Sequence, residues 1–219
     1  QDKLNQKVLF EKARVHQPKF EEIRRNEDLS KLDPKKWVLK WARGGYDGKG
    51  VWLKELTHEG TKDFLQSAFH KGYRVYAEAR VTYDKEVALV GCRDQKGNFT
   101  FFPLVESANF EGVCDVVTCT AQSENLTLQK KAEEIAQKIV VELPDFCGSF
   151  AIEFFKSADD LIVNEMAPRV HNSGHISLDA FEQSQFDWHW KAFFKEALQL
   201  KPKTGFEYYG MLNLLPINP

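Results

Sequence analysis

The chain has 219 residues, 42% hydrophobic and 28% charged, with a net charge of −2 and a pI of about 6.4. That length can bury a substantial core in one large domain or two lobes, while the near-neutral balance argues against a nucleic-acid or anionic-membrane partner. No window approaches the roughly 18 apolar residues of a membrane span, no signal peptide is expected, and residue 1 is Gln, so the sequence reads as part of a longer protein or a trimmed one.

In chain order, residues 2–13 read as a helix capped by Asp2, with Leu4, Val8 and Leu9 on its inner face. Lys3 and Lys7, one turn apart, read from composition as a solvated basic face. Residues 17–23 are extended and 26–32 form a short helix. Residues 36–41 make a strand that ends near Lys40, just before Gly44-Gly45-Tyr46-Asp47-Gly48-Lys49-Gly50. Four glycines in seven residues let the backbone take positive φ and turn its N–H groups toward an anion. With a second strand at 51–53, the motif is either a hairpin flap over phosphates or a purely structural turn, and these residues alone leave both open. It is not the phosphate loop that ends in Gly-Lys-Ser/Thr.

Further on, 61–70 is a helix, and 74–81, 86–93 and 99–105 are strands with the spacing of an antiparallel meander. A strand follows at 113–121, then a helix at 126–142 with Leu128, Ala132, Ile135, Ala136, Ile139 and Val140 on one stripe. A helix at 181–198 and a strand at 210–215 end the chain. Cys92, Cys114, Cys119 and Cys147 have neither zinc nor CxxC spacing, so reduced packing residues of a cytoplasmic protein are expected.

The densest chemistry lies between the last two helices. Residues 148–155 alternate as a strand and 161–163 are a short apolar strand, around a polar turn at 156–160, which predicts a hairpin. Pairing Phe155 with Leu161 sets Glu153 opposite Val163 and Glu165 one pleat further on the same face. Two carboxylates held that close repel unless a cation lies between them, and two oxygen donors with open positions suit Mg²⁺. For two isolated glutamates, strand-edge charges are the commoner explanation. Here Asn164-Glu165-Met166-Ala167-Pro168-Arg169-Val170-His171-Asn172-Ser173-Gly174-His175 adds a guanidinium, two imidazoles, two amides and a hydroxyl at once.

Together, Asp2-Lys3-Leu4-Asn5-Gln6-Lys7, the strand ending near Lys40, the 44–50 glycine motif, Glu78, Glu86, Glu153, the 164–175 stretch and Ser184-Gln185-Phe186 resemble the ATP-grasp portion of the 5-(carboxyamino)imidazole ribonucleotide synthase family. The resemblance runs over nearly the whole chain. It implies an α+β ATP-grasp fold, two lobes of antiparallel sheet with helices and the nucleotide between them. Residues 1–35 would be a helical lead-in, 36–75 the small lobe and 76–219 the large lobe. The implied reaction uses ATP to turn bicarbonate into carboxyphosphate, then transfers the carboxyl group to the amine of 5-aminoimidazole ribonucleotide, releasing ADP and phosphate in purine biosynthesis. The alternatives are another ATP-grasp carboxylate–amine ligase or a truncated nucleotide-binding subunit.

By position, the resemblance implies that Lys3 and Lys40 contact ATP and that Gly45, Tyr46, Asp47, Gly48, Lys49, Gly50 and Val51 form the flap. Glu78, Ala79, Arg80 and Val81 would be the hinge that reads adenine, Glu86 the ribose carboxylate, and Asn164 and Glu165 the residues beside the nucleotide. Glu153 and Glu165 would bind Mg²⁺, with Mn²⁺ as the alternative. Tyr46, Asp47, Lys49, Arg169, His171, Asn172 and Ser173 would hold the ribonucleotide, with Arg169 and His171 in catalytic roles. Asn109 departs from the pattern, standing near the nucleotide where the family usually has His; an amide carries no titrating proton there. The family's flanking domains lie outside these residues, its full-length members are expected as homodimers in the cytoplasm, and neither nucleic acid nor membrane is implied as a partner.

Overall fold

The structure is a computed structural model and describes residues 2–45, 50–110, 113–120, 125–205 and 207–214, the side chains at 109, 110, 113 and 114 excepted. Its helices are α1 (Lys3–Lys12), α2 (Thr61–His70), α3 (Leu126–Val140), α4 (Ser177–Ala180) and α5 (Gln185–Phe194). Its strands are β1 (Phe20–Ile23), β2 (Trp37–Trp41), β3 (Val51–Trp52), β4 (Val75–Ala79), β5 (Lys85–Arg93) and β6 (Phe99–Phe101). The rest are β7 (Val105–Phe110), β8 (Val113–Thr120), β9 (Gly148–Ser157), β10 (Asp160–Ala167) and β11 (Tyr208–Leu212). Short 3₁₀ turns occupy Asn26–Lys31 and Asn172–Gly174.

Two sheets result, with every strand pair antiparallel, as expected for an α+β protein of two lobes. A four-stranded sheet runs β1-β4-β2-β3, and a seven-stranded sheet runs β10-β9-β5-β7-β8-β11 with β6 on β5. The smaller sheet takes β1 and β4 from either side of the expected 36–75 boundary, so it spans residues 20–79. The meander is corrected for the same reason. β4 lies between β1 and β2, with Val75, Tyr76, Ala77 and Glu78 all buried, whereas β5 joins β9 in the other sheet. The strand expected at 99–105 breaks into β6 and β7 around Pro103, which has no N–H for a ladder.

Two of the apolar clusters among the described residues join a sheet to a helix beneath it. The α3 stripe packs on Val87, Leu89, Phe150, Ile152, Phe154, Leu161 and Val163 of the large sheet, as its spacing predicts. The small sheet buries Ile23, Leu39, Val75 and Ala77 against Leu65 and Ala68 of α2. The final helix is shorter than 181–198. It starts at Gln185 because Ser184 and Asp187 form a reciprocal capping box, and it stops at Phe194, where Lys195 turns left-handed at φ 59°. Phe181 instead bridges Pro202 in extended backbone. Cys92 and Cys119 are buried, and burial pushes their thiols up to about 12 and about 11, as suits inert packing. Cys147 is partly buried, and the side chain of Cys114 lies outside the described residues. Among the described residues no helix is long and apolar enough to cross a membrane.

Candidate active site between the two sheets

The β9–β10 hairpin turns through Ala158 and Asp159 alone, with Ala158 at φ 49°, a tighter turn than 156–160. Ile162 therefore pairs with Phe155 and Val163 with Phe154, correcting the register expected above. The register then slips at Asn164, and Glu165 comes directly opposite Glu153. The carboxylate pair is thus tighter than a regular hairpin would make it. Crowding by protein, then the charges of Glu165 and Glu86, push Glu153 up to about 7. Water still reaches 38% of its side chain through the cleft and tempers that effect. Lys3 Nζ lies 2.9 Å from Glu165 Oε2, so α1 brings its first lysine to the same place.

Next to this pair is a buried charge triad. Lys40 Nζ contacts Glu78 Oε1 at 2.5 Å and Lys7 Nζ contacts Oε2 at 2.5 Å. Lys40 also reaches Asn164 Oδ1 at 3.3 Å, and Lys7 reaches the Asn164 carbonyl at 3.1 Å. Burial works to raise the Glu78 carboxyl, but the Lys40 and Lys7 charges outweigh it and hold the group below the usual range. Lys7 is only 1% exposed, which corrects its solvated reading: Leu4, Lys7 and Phe10 form the inner face of α1, and Val8 faces out. Two ammonium groups against one carboxylate leave an excess positive charge facing the Glu153–Glu165 pair, a setting that favours polyphosphate.

The other expected nucleotide residues, where described, lie on or beside β2, β3, β4 and β5. Val51 pairs with Lys40 across β2 and β3, and the Gly50 carbonyl accepts from Trp41 N–H at 2.8 Å. The loop leaves and returns through left-handed glycines, Gly44 at φ 70° and Gly50 at φ 76°, with Gly45 packed beside Gly50. Tyr46, Asp47, Gly48 and Lys49 lie outside the described residues, as does the side chain of Asn109 on β7. The N–H groups of Ala79 and Arg80 are spent on the carbonyls of Lys19 and Lys36, leaving Val81 beyond the sheet, while the Arg80 guanidinium donates to the Leu53 carbonyl. Glu86 accepts from Tyr83 Oη at 2.8 Å, and the Tyr83 ring stacks on Phe155.

On the far side of the carboxylates, the chain leaves β10 through Pro168 into the 169–175 loop. Arg169 and Asn172 are exposed, and one Arg169 nitrogen donates to the Val170 carbonyl. His171 Nε2 lies 3.5 Å from Glu153 Oε1. Its Nδ1 faces Ser173 Oγ at 2.9 Å and accepts from Ser173 N–H at 3.4 Å, which leaves the ring proton on Nε2, aimed at Glu153. Burial, then the Arg169 charge, lower His171 to about 4, so the ring is neutral at pH 7 and better suited to orient a partner than to carry a proton.

Gln185, fully buried at the start of α5, fixes this histidine: its Oε1 accepts from His171 N–H at 2.9 Å and its Nε2 donates to His171 carbonyl at 2.8 Å. A Cβ at Gly174 would collide with the Gln185 amide. Gly174→Ala is therefore expected to cost about 1–3 kcal/mol of stability, readable by urea denaturation. Sequence reasoning missed Gln6, Lys7 and the role of Gln185. The signal for the first two was present: Lys3, Gln6, Lys7 and Phe10 share one helical stripe, and that stripe is mostly polar.

A model of the ATP-grasp domain matches residues 8–186, and the chain belongs to the ATP-grasp family. Within it, the chain is similar to N5-carboxyaminoimidazole ribonucleotide synthase of Vibrio cholerae, 37% identical over 198 residues that cover 87% of this chain and 52% of that protein. The structure of N5-carboxyaminoimidazole synthetase from Staphylococcus aureus complexed with ADP matches with a TM-score of 0.82 at 31% identity, over 98% of this chain and 57% of that one. The Aspergillus clavatus enzyme in complex with ADP and 5-aminoimidazole ribonucleotide matches with a TM-score of 0.74 at 25% identity, over 91% and 52%. The chain spans about half the length of the curated relatives it matches.

Proposed function

We propose that this chain is the ATP-grasp portion of a ligase that carboxylates 5-aminoimidazole ribonucleotide with bicarbonate at the expense of ATP. The observation that carries this reading is the 3.5 Å approach of His171 Nε2 to Glu153 Oε1, which sets a second polar site against the paired carboxylates. The lobes are residues 20–79, with Lys40 and Glu78, and the remainder, with Lys3, Lys7, Glu153, Glu165 and the 169–175 loop.

Glu153 and Glu165 fit a divalent cation: two facing carboxylates, oxygen donors only, one with proton affinity raised by burial and then by its neighbour's charge. When bound, Mg²⁺, or Mn²⁺ in its place, neutralises phosphate charge and leaves the γ-phosphorus open to attack. Lys40 and Lys3 draw the phosphates to the carboxylate end, Val81 offers its backbone to adenine, and Glu86 offers its carboxylate to the ribose. Gly45 and Gly50 begin and end the flap, to which Tyr46, Asp47, Gly48 and Lys49 are assigned by the resemblance alone.

A bicarbonate oxygen attacks the γ-phosphorus and ADP leaves. The amine of the ribonucleotide then attacks the carboxyphosphate carbon, the C–O bond to phosphate breaks, and the proton lost by the amine leaves with the phosphate. Carboxyphosphate is short-lived in water, so the amine must be in place first. Arg169, exposed beside the site, supplies a planar fork of donors for the anionic intermediate. His171, with Asn172 and Ser173, holds the acceptor, and its neutral ring orients the amine.

Phosphate release from ATP, with bicarbonate and with or without 5-aminoimidazole ribonucleotide, tests the reading in this chain and in a form extended to the length of its relatives. Release that depends on both is expected; release that responds to a different amine instead would point to another ligase. In the extended form, His171→Ala is expected to keep bicarbonate-dependent ATP cleavage but to lower carboxylated product per phosphate by about 10²-fold, as for other misplaced reactants. A proportional fall in both would assign His171 to ATP or to the fold.

A further inference from the structure

Helix α1 is fastened to the outer edge of β10 by two adjacent side chains. β10 ends the order of the seven-stranded sheet, so no neighbouring strand among the described residues covers that edge. Val163 N–H donates to the His16 carbonyl at 2.8 Å. One residue on, Lys7 Nζ donates to the Asn164 carbonyl at 3.1 Å. The Gln6 amide then closes on Met166 from both sides: Oε1 accepts from Met166 N–H at 3.1 Å, and Nε2 donates to the Met166 carbonyl at 2.6 Å. Gln6 thus imitates one residue of a neighbouring strand.

These contacts bracket Glu165, and the register slips between the same bounds. Val163 faces Phe154, yet Glu165 faces Glu153. A regular ladder continued past Val163 would set Asn164 opposite Glu153 and Glu165 opposite Ile152. Side chains alternate along a strand, so a slip of one residue exchanges the two faces of the sheet. Ile152 is fully buried in the apolar cluster beneath α3. Without the extra residue, Glu165 would point into that cluster, away from Glu153. The bulge at Asn164 is what creates the carboxylate pair, and a bulge leaves a strand locally short of ladder bonds. Gln6 and Lys7 supply bonds at that place.

We propose that Gln6, with Lys7 beside it, is a positioning residue: it holds the Asn164 bulge so that the Glu165 carboxylate stands opposite Glu153. The proposal rests on the reading of Glu153 and Glu165 as a divalent-cation site. It assigns to α1, 157–160 residues distant in sequence from its β10 partners, the task of aligning a ligand that it does not itself provide.

Gln6→Met removes both amide contacts at nearly constant volume. Titration calorimetry on the 219-residue chain compares binding of a non-hydrolysable β,γ-imido ATP analogue with Mn²⁺ and in EDTA, with far-ultraviolet circular dichroism as the check on fold. Gln6→Met is expected to weaken the metal-bound nucleotide at least about tenfold, the usual cost of losing a partner that orients a metal ligand, and the metal-free nucleotide by less than about twofold. A purely structural role would weaken both together. Gln6→Asn, with the amide one methylene short of the strand, carries the same comparison should Gln6→Met not fold. Equal weakening, or no weakening, in a protein whose wild type shows metal-dependent affinity overturns the positioning role alone. A wild type whose affinity ignores metal overturns the cation site and this inference with it.

Discussion

Glu165→Gln is expected to lower bicarbonate-dependent ATP cleavage by about two to three orders of magnitude, the scale of losing one preorganised electrostatic partner of a transition state. The substitution keeps the size and most hydrogen-bonding capacity of the side chain, so β10 and its bulge should persist. What it removes is one of two facing charges. Lys3 loses its carboxylate partner at 2.9 Å, and the upward push that Glu165 exerts on Glu153 disappears. A single carboxylate is a poor anchor for a cation that must also hold substrate phosphates. Initial rates with circular dichroism as a control decide the matter. Turnover near the wild-type level would remove the metal assignment.

Glu78→Ala is expected to cost about 3–5 kcal/mol of stability, the range for breaking a buried ion pair from one side. Glu78 is 2% exposed and lies between Lys7 and Lys40, so its removal leaves two like charges together and Lys7 almost wholly out of water. Replacing Lys7 and Glu78 together by Met and Leu should recover most of the loss, because the remaining ammonium of Lys40 borders the cleft. The effect has a pH signature. The folded Glu78 carboxyl is held below its ordinary value, so its stabilisation is present above the unfolded carboxylate pKa and is lost as pH falls through the lower folded value. Urea titrations at several pH values should show a flatter acid limb in Glu78→Ala than in wild type. A loss below about 1 kcal/mol, the level of a surface pair, would contradict the buried triad.

Local chemistry was legible in the sequence where one segment contained its own reason. The α3 stripe, the glycine motif ending beside β3, and the two glutamate strands each follow from periodicity or residue type within about a dozen positions. The capping box of α5 was legible too, in Ser184 and Asp187, but the aromatic run around it favours a longer helix than the box permits. What escaped depends on partners far along the chain. Lys7 reads as a surface residue until Glu78 and Asn164 are folded onto it. β4 looks like the first strand of a meander until β1 and β2 pair with both its edges. The hairpin register was misplaced from the turn onward, because two residues make that turn rather than five, and the slip past Val163 has no local signal, since α1 bonds Asn164 and Met166 from far along the chain.

In the proposed reaction ATP activates bicarbonate at the Glu153–Glu165 end of the cleft, beside a bound amine. The most direct test follows the oxygen. With ¹⁸O-bicarbonate, ATP, Mg²⁺ and 5-aminoimidazole ribonucleotide, and with sampling faster than bicarbonate exchanges with water, mass spectrometry reads the label in the released phosphate. Attack of a bicarbonate oxygen on the γ-phosphorus, followed by cleavage of the C–O bond, transfers one oxygen from bicarbonate to each phosphate. One ¹⁸O per phosphate, formed together with carboxylated ribonucleotide, is expected; phosphate that takes its new oxygen from water alone would rule out carboxyphosphate.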